Sequence, residues 1–289
     1  MNDELKRLKE LLEAYMAGTL PGEGPEESRT LFEAIRYTLD APGKRIRPVL
    51  LLLACKAVHG NDEEALPYAC AIEFIHNYSL IHDDLPAMDN DDMRRGKLTN
   101  HKVFGEAMAI LAGDGLLSAA FEMMHIDYLK HINDNDALVK RIKAGAAISA
   151  GCGTDGMVSG QAADIEAEGQ NDNAELLDYI HLNKTAALIQ AAVMAGAHIG
   201  GASGETLMAL SEYGKNIGLA FQIKDDIIDY GSEEGKASYP DIHGLGVSCD
   251  HLEGLTERAV TAVNGAEGTN AFYINILNEL AVSLAQRAE

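Results

Sequence analysis

The sequence predicts an all-α protein. Three observations predict it. Apolar residues recur at helical spacing, strand-like alternation is nearly absent, and small residues abound while aromatics make up only 6%. Small side chains let neighbouring helices pack closely.

The elements follow in chain order. Leu5, Leu8, Leu11, Leu12 and Tyr15 share one face and predict an amphipathic helix over residues 3 to 17. Gly18 to Glu27 is rich in Gly, Pro and Glu and reads as a loop. Ser28 is placed to cap a helix carrying Leu31, Phe32, Ile35 and Leu39, which Pro42-Gly43 ends. The apolar segment Val49 to Val58 leads to a polar turn at Gly60-Asn61-Asp62. Residues 64–84 predict a long helix, apolar on most sides and therefore central. The Ala-rich stretches 104–130, 135–151, 174–200 and 205–230 predict further helices, and Gly231 to Gly254 reads as loop-like. No fixed-period repeat is present. No linker between residues 20 and 230 is long or polar enough to divide the chain, so residues 1–289 are expected to form one domain.

Composition excludes several functions. The net charge is −22, and such a field repels nucleic-acid phosphates and anionic lipid. The longest strongly apolar run, Val49 to Ala54, is six residues against the roughly 20 of a membrane helix. The charged, amphipathic N-terminal stretch lacks the apolar core of a secretory signal. Cys55, Cys70, Cys152 and Cys249 include no CxxC pair, which points to a reduced, cytoplasmic protein without disulfides or a thiolate metal site.

Two acidic clusters carry the chemistry. One is Asp83-Asp84 with Asp89, Asp91 and Asp92; the other is Asp225-Asp226 with Asp229. Each follows an apolar helical stretch. Asp225 and Asp229 lie at i and i+4 on one helix face, where like charges repel unless a cation neutralises them. Pro86 cannot continue a helix, so Asp83 and Asp89 need a helix end or bulge before they converge. Oxygen-only ligands favour Mg²⁺, with Mn²⁺ as a substitute, over Zn²⁺. Basic residues are scarce but clustered, at Lys44-Arg45-Ile46-Arg47, at Arg94-Arg95-Gly96-Lys97 and at Lys184. Paired carboxylates, a hard cation and concentrated Arg/Lys describe a diphosphate site. Gly151 to Gly156 matches GxGxxG, but a helical stretch precedes it where a dinucleotide site needs a strand, so a helix break or close packing is expected.

At these residues the chain resembles the bacterial short-chain trans-isoprenyl diphosphate synthases of the farnesyl diphosphate synthase group, over roughly residues 28 to 289. Gly43 to Pro48 resembles the family's first basic motif, with Pro42-Gly43 for its usual Gly-Gly. Tyr78 to His101 resembles the first Asp-rich motif, Gly156 to Glu168 an intervening helix, Lys184-Thr185 the Lys-Thr pair, and Phe221 to Asp229 the second Asp-rich motif. The resemblance implies a helical bundle around a central active-site cavity. It also implies condensation of isopentenyl diphosphate with dimethylallyl or geranyl diphosphate by ionisation, condensation and elimination. Asp83, Asp89 and Asp225 would hold Mg²⁺, with Asp84, Asp226 and Asp229 supporting. Arg94, Lys184, Thr185 and Gln222 would contact the allylic substrate. Lys44, Arg47, His76 and Arg95 would hold the isopentenyl diphosphate. Tyr78, with Ser79 beside it, would floor the product tunnel and favour a C15 product, C20 being the alternative. A homodimer is implied as well.

The chain departs from that pattern after Asp229. The family carries a longer loop there with two lysines, and Tyr230 to Pro240 offers only Lys236 for both. A weaker hold on the allylic diphosphate is expected, with a binding or regulatory subunit as the extreme. Two enzyme classes compete. An HD-type phosphohydrolase would use His76 and His82-Asp83, and would not need the second acidic cluster. A terpene cyclase would lack the isopentenyl site.

Overall fold

The structure, a computed structural model, describes residues 1–19, 24–167, 173–231 and 238–288. Helices dominate in the order α1 (Asn2–Thr19), α2 (Arg29–Leu39), α3 (Ile46–Ala57), α4 (Asp62–Asp83), α5 (Asn100–Phe104), α6 (Glu106–Lys130) and α7 (Asn135–Cys152). They continue with α8 (Met157–Glu166), α9 (Ala174–Ile180), a π-helical turn (His181–Ala186), α10 (Ala187–Gly200), α11 (Gly204–Asp229), α12 (Tyr239–His243), α13 (Leu245–Asn264) and α14 (Ala271–Gln286). One antiparallel hairpin, β1 (Met93–Arg94) with β2 (Lys97–Leu98), stands between α4 and α5.

The backbone divides into two compact units. One comprises Met1–Asn2, Leu50–Ala65 and Asp134–Glu289; the other comprises Asp3–Val49 and Leu66–Asn133. The boundaries fall inside α3 and α4 as well as between helices, which is why no linker marks them in the sequence.

In the Asp3–Val49 and Leu66–Asn133 unit, α2, α5 and α6 pack together. Buried polar pairs fix their register. The Tyr68 hydroxyl donates to Asp127 at 3.0 Å, and the Asn100 amide donates to the Ala34 carbonyl at 2.8 Å. α6 is long and apolar enough, by length and composition alone, to cross a membrane, and 33% of its most apolar window is buried. The run-length criterion did not isolate this helix. Asp127, buried and hydrogen-bonded by Tyr68, fits a helix whose inner face belongs to a protein core.

In the other unit, α10 packs on α7 and α11, and α11 on α13. Arg141 is a large, fully buried side chain, held by Glu64 at 3.0 Å and the Ala137 carbonyl at 3.2 Å. The Tyr213 hydroxyl donates to the Leu277 carbonyl at 2.7 Å and ties α11 to α14. Asp134, Asn173 and Asn270 cap α7, α9 and α14 with their side chains, as short polar N-cap residues do.

Two local expectations are corrected. Ser28 occupies the N-cap position of α2, but its side chain makes no capping bond. The stretch expected to be loop-like contains α12 and the first half of α13. A Ser238/Asp241 capping box starts α12, and Gly244 at φ 82° turns the chain into α13. Ser248, Leu252, Leu255, Ala259 and Val263 then bury one stripe of α13.

The GxGxxG segment is a helix junction. α7 ends at Cys152 and Gly156 precedes α8, while a Cβ on Gly151 would meet Ala191 Cβ at 2.5 Å. Gly151→Ala is therefore expected to destabilise the protein by about 1–3 kcal/mol. Gly246→Ala, which meets nothing within 4 Å on α13, is expected to stabilise it by roughly 0.5 kcal/mol. Chemical denaturation of both variants checks the pair.

Candidate active site

In the Asp3–Val49 and Leu66–Asn133 unit, α4 ends at Asp83 and the chain folds back at once. The Asp89 amide donates to the Asp83 carbonyl at 2.9 Å, and the Asn90 amide, with φ 53°, donates to the Leu85 carbonyl at 3.1 Å. This is the helix end that the Pro86 spacing demanded. It sets the backbones of Asp83 and Asp89 side by side. Asp83 is half-buried, Asp84 buried and Asp89 exposed. Arg94 Nε donates to Asp84 at 2.5 Å and Nη2 to Asp91 at 3.3 Å. Burial nonetheless pushes the Asp84 carboxyl up to about 6, with Asp91 and Asp83 adding to the rise against the pull of Arg94.

The basic residues gather around His76 in the same unit. Arg47 Nη1 lies 3.4 Å from His76 Nε2. A Cβ on Gly43 would lie 3.2 Å from Arg95 Nη1, so the first basic motif and Arg95 are neighbours. Burial, and then the charges of Arg47, Arg95, Arg45 and Arg94, hold His76 well below the usual histidine range. The imidazole is neutral at neutral pH, and the guanidiniums supply the charge. Lys44 is exposed beside them. The turn that presents Arg95 is a two-residue hairpin loop, Arg95 at φ 51° and Gly96 at φ 76°. Tyr78 is buried, its ring edge-on to His82 at 5.7 Å, and the Ser79 hydroxyl donates to the His76 carbonyl at 2.9 Å.

Arg45 serves another purpose. Its guanidinium is buried and donates to Glu73 and to the Leu39 carbonyl, each at 2.6 Å. It holds the backbone at φ 52°, a strained value for arginine, and so aims the rest of the motif.

In the other unit a cavity of about 200 Å³ is lined by Asp164, His181, Lys184, Thr185, Gln222, Asp225, Asp226, Asp229 and Asp241, among others. Lys184 and Thr185 stand on the π turn, an insertion that re-aims side chains within a helix. Gly160 and Gly218 permit the turn, since a Cβ on either would meet its backbone at 2.1 and 2.5 Å respectively. Lys184 donates to Asp164 at 2.6 Å. The Thr185 hydroxyl donates to Gln222 Oε1 at 2.8 Å, and Gln222 Nε2 donates to Asp226 Oδ1 at 3.1 Å. Asp226 Oδ2 accepts from the Tyr239 amide at 2.8 Å and lies 3.2 Å from His181 Nε2. Its two oxygens are thus engaged within the protein. Asp225 is paired with Arg287, yet burial holds its carboxyl above the usual range, with Asp229 and Asp226 adding to the rise. Lys236 lies outside the described residues.

Among the described residues, no three His, Cys, Asp or Glu side chains converge as a metal-ligand group. His82 Nε2 meets the Ile110 carbonyl at 3.1 Å, and His76 meets Arg47, so the pattern of an HD-type site is absent among them. The donors suit a metal shared with substrate. All are carboxylate oxygens, and Asp84 and Asp225 are held toward their acid forms by burial and crowding, which a bound cation reverses. Mg²⁺ takes one or two carboxylates and completes its octahedron with water and phosphate oxygens.

The Polyprenyl synthetase family profile matches residues 28–257. The chain belongs to that family. It is 45% identical to a farnesyl diphosphate synthase of Geobacillus stearothermophilus, over 95% of this chain and 87% of the relative. It is 44% identical to a geranylgeranyl diphosphate synthase of Cyanophora paradoxa, over 87% of this chain and 86% of the relative. A crystal structure of an FPP/GFPP synthase from Zymomonas mobilis superposes with a TM-score of 0.86 at 35% identity, covering 97% of this chain and 96% of that one. Polyprenyl synthetases are metal-dependent and join isopentenyl diphosphate to allylic diphosphates. This chain is accordingly a trans-prenyl diphosphate synthase, a prenyltransferase with the all-α fold.

Of the residues that line the cavity, the sequence singled out Lys184, Thr185, Gln222, Asp225, Asp226 and Asp229. Sequence reasoning missed their partners, namely Asp164 for Lys184, His181 for Asp226, and Arg287 for Asp225. His181 was findable three residues before Lys184, one helical turn away; Arg287 carried no local signal. The two arginines of the first basic motif also proved unequal. Arg45→Met should destabilise the polyprenyl synthetase fold by about 3–5 kcal/mol, because Glu73 is left buried without its counter-charge, with only the Asn77 amide on its carboxylate. Arg47→Met should keep stability within about 1 kcal/mol and weaken inorganic diphosphate binding about tenfold or more. Denaturation and calorimetry on both variants check the contrast.

Proposed function

We propose that this synthase makes farnesyl diphosphate, adding isopentenyl diphosphate to dimethylallyl and then geranyl diphosphate with Mg²⁺, or Mn²⁺ in its place. The observation that carries the substrate assignment is the cavity at Lys184. It places Lys184 among Asp164, Asp225, Asp226 and Asp229, and a ligand bringing both anion and cation matches both signs. A metal diphosphate is such a ligand.

The geometry and the family resemblance support the following roles. Asp83, Asp84 and Asp89 in one unit, and Asp225 and Asp229 in the other, would supply carboxylates to the metal, one or two to each ion. When bound, it neutralises charge developing on the leaving diphosphate. Lys184 and Arg94 add positive charge to that leaving group, while Thr185 and Gln222 orient it. Arg47, Arg95 and Lys44 hold the isopentenyl diphosphate, and neutral His76 contributes hydrogen bonds. The allylic C–O bond breaks, a C–C bond forms to the alkene, and the departing proton goes to the released diphosphate. The reaction requires no protein nucleophile, and the serine that lines the Lys184 cavity, Ser238, has its hydroxyl engaged with Asp241 in the capping box of α12.

Tyr78 supports the C15 product, since its buried ring is rigidly placed just before the first acidic cluster. A homodimer is proposed from α6, which exposes Ile110, Leu111, Ile126 and Leu129, an apolar face that a second copy would cover. The cysteine usage supports a cytoplasmic location. The short loop after Asp229, part of it outside the described residues, supports a weaker grip on the allylic diphosphate, not a lost activity, because every metal-type Asp is retained.

The test is a product assay with Mg²⁺, isopentenyl diphosphate and either allylic diphosphate, with an EDTA control. A Mg²⁺-dependent C15 alcohol after dephosphorylation is expected, and Tyr78→Ala should lengthen it to C20 or beyond. A C20 product from the wild type would discard the Tyr78 role. No condensation with substrate still bound would make the chain a binding subunit.

A further inference from the structure

Arg287 follows α14 and turns away from it, at φ −57° and ψ 148°. Its guanidinium lies over the Phe221 ring at 3.8 Å and donates to the Phe221 carbonyl at 3.1 Å. The same Nη2 donates to Asp225 Oδ1. The side chain is only 10% exposed, whereas Asp225 is 38% exposed and lines the cavity with Asp229. Stacking and the carbonyl bond hold the guanidinium in addition to its contact with the carboxylate. The carboxylate oxygen it covers is one that a metal would take.

We propose that Arg287 is the resident counter-ion of Asp225 in the metal-free protein, and that it sets the metal concentration at which this carboxylate loads. The inference rests on the metal role proposed above for Asp225. The electrostatics require a cation at this point. Asp225, Asp226 and Asp229 crowd the C-terminal end of α11, where the helix dipole is negative and the last turn holds no basic residue. Asp226 has His181, Gln222 and the Tyr239 amide. Asp225 has Arg287. A divalent ion must therefore displace one charge-assisted hydrogen bond to reach Oδ1. The stacked guanidinium stays close by, and recaptures the carboxylate when product and metal leave.

The experiment is calorimetric titration of Mg²⁺ into the full chain, with inorganic diphosphate present, for wild type, Arg287→Gln and Arg287→Lys. Thermal melts in EDTA and in saturating Mg²⁺ run alongside. Arg287→Gln should bind Mg²⁺ about tenfold more tightly, by loss of one charged competitor. It should melt lower than wild type in EDTA, and Mg²⁺ should raise its melting temperature by more. Arg287→Lys, keeping the charge without the stacked fork, should fall between. Equal or weaker Mg²⁺ binding by Arg287→Gln, with wild type binding normally, overturns the inference and leaves the synthase reading intact. Failure of the wild type itself to bind Mg²⁺ removes the metal role of Asp225 and this inference with it. Should Arg287→Gln fold poorly, Arg287→Lys alone decides by the same comparison.

Discussion

Both acidic clusters sit at the C-terminal ends of helices, and this placement governs the rest of the molecule. α4 ends at Asp83 and α11 at Asp229. Carboxylates there face the negative end of the helix dipole and one another, so folding alone destabilises them. The protein answers locally with Arg94 on Asp84, His181 and the Tyr239 amide on Asp226, and Arg287 on Asp225. Those partners offset part of the repulsion. The remainder is a standing demand for cations, which a metal diphosphate meets. In a chain with 45 acidic and 23 basic residues, arginines spent at these points are not spent on the surface.

Placement of the cationic side chains depends on irregular backbone, not on regular helix. Lys184 and Thr185 ride a π turn that Gly160 and Gly218 allow to be approached from two helices. Arg95 stands at a positive φ in a hairpin turn, and Arg45 holds another positive φ with a buried ion pair to Glu73. Such conformations persist only where surrounding packing determines them. Burial then sets the chemistry: His76 stays neutral among arginines, and Asp84 sits near 6. The division of labour is between groups that carry charge to substrate and groups that hold those carriers in place.

Much of this was legible in the sequence, for definite reasons. Helical periodicity located α1, α4, α6, α7 and α11 because each buries a stripe or its whole girth. The Pro86 argument anticipated the fold-back at Asp89, since proline forbids the helix that would carry the carboxylates apart. α12 and α13 were illegible: their glycines read as loop, whereas Gly244 serves as a turn between helices. The equal appearance of Arg45 and Arg47 concealed opposite roles, because burial of one side chain depends on Glu73, 28 positions away. Arg287 was hidden for the same reason, 62 positions from Asp225. Local pattern finds the clustered charged residues; their partners across the fold appear only in three dimensions.

The central claim is that carboxylates, metal and diphosphate neutralise one another and bind as a unit. The most direct measurement is calorimetric binding of a non-ionising allylic diphosphate analogue, with Mg²⁺ and with EDTA. The account predicts affinity at least about a hundredfold higher with Mg²⁺, since an acidic cavity repels the bare diphosphate. Equal affinity in EDTA would contradict it, and would mean that the arginines and Lys184 hold the diphosphate unaided.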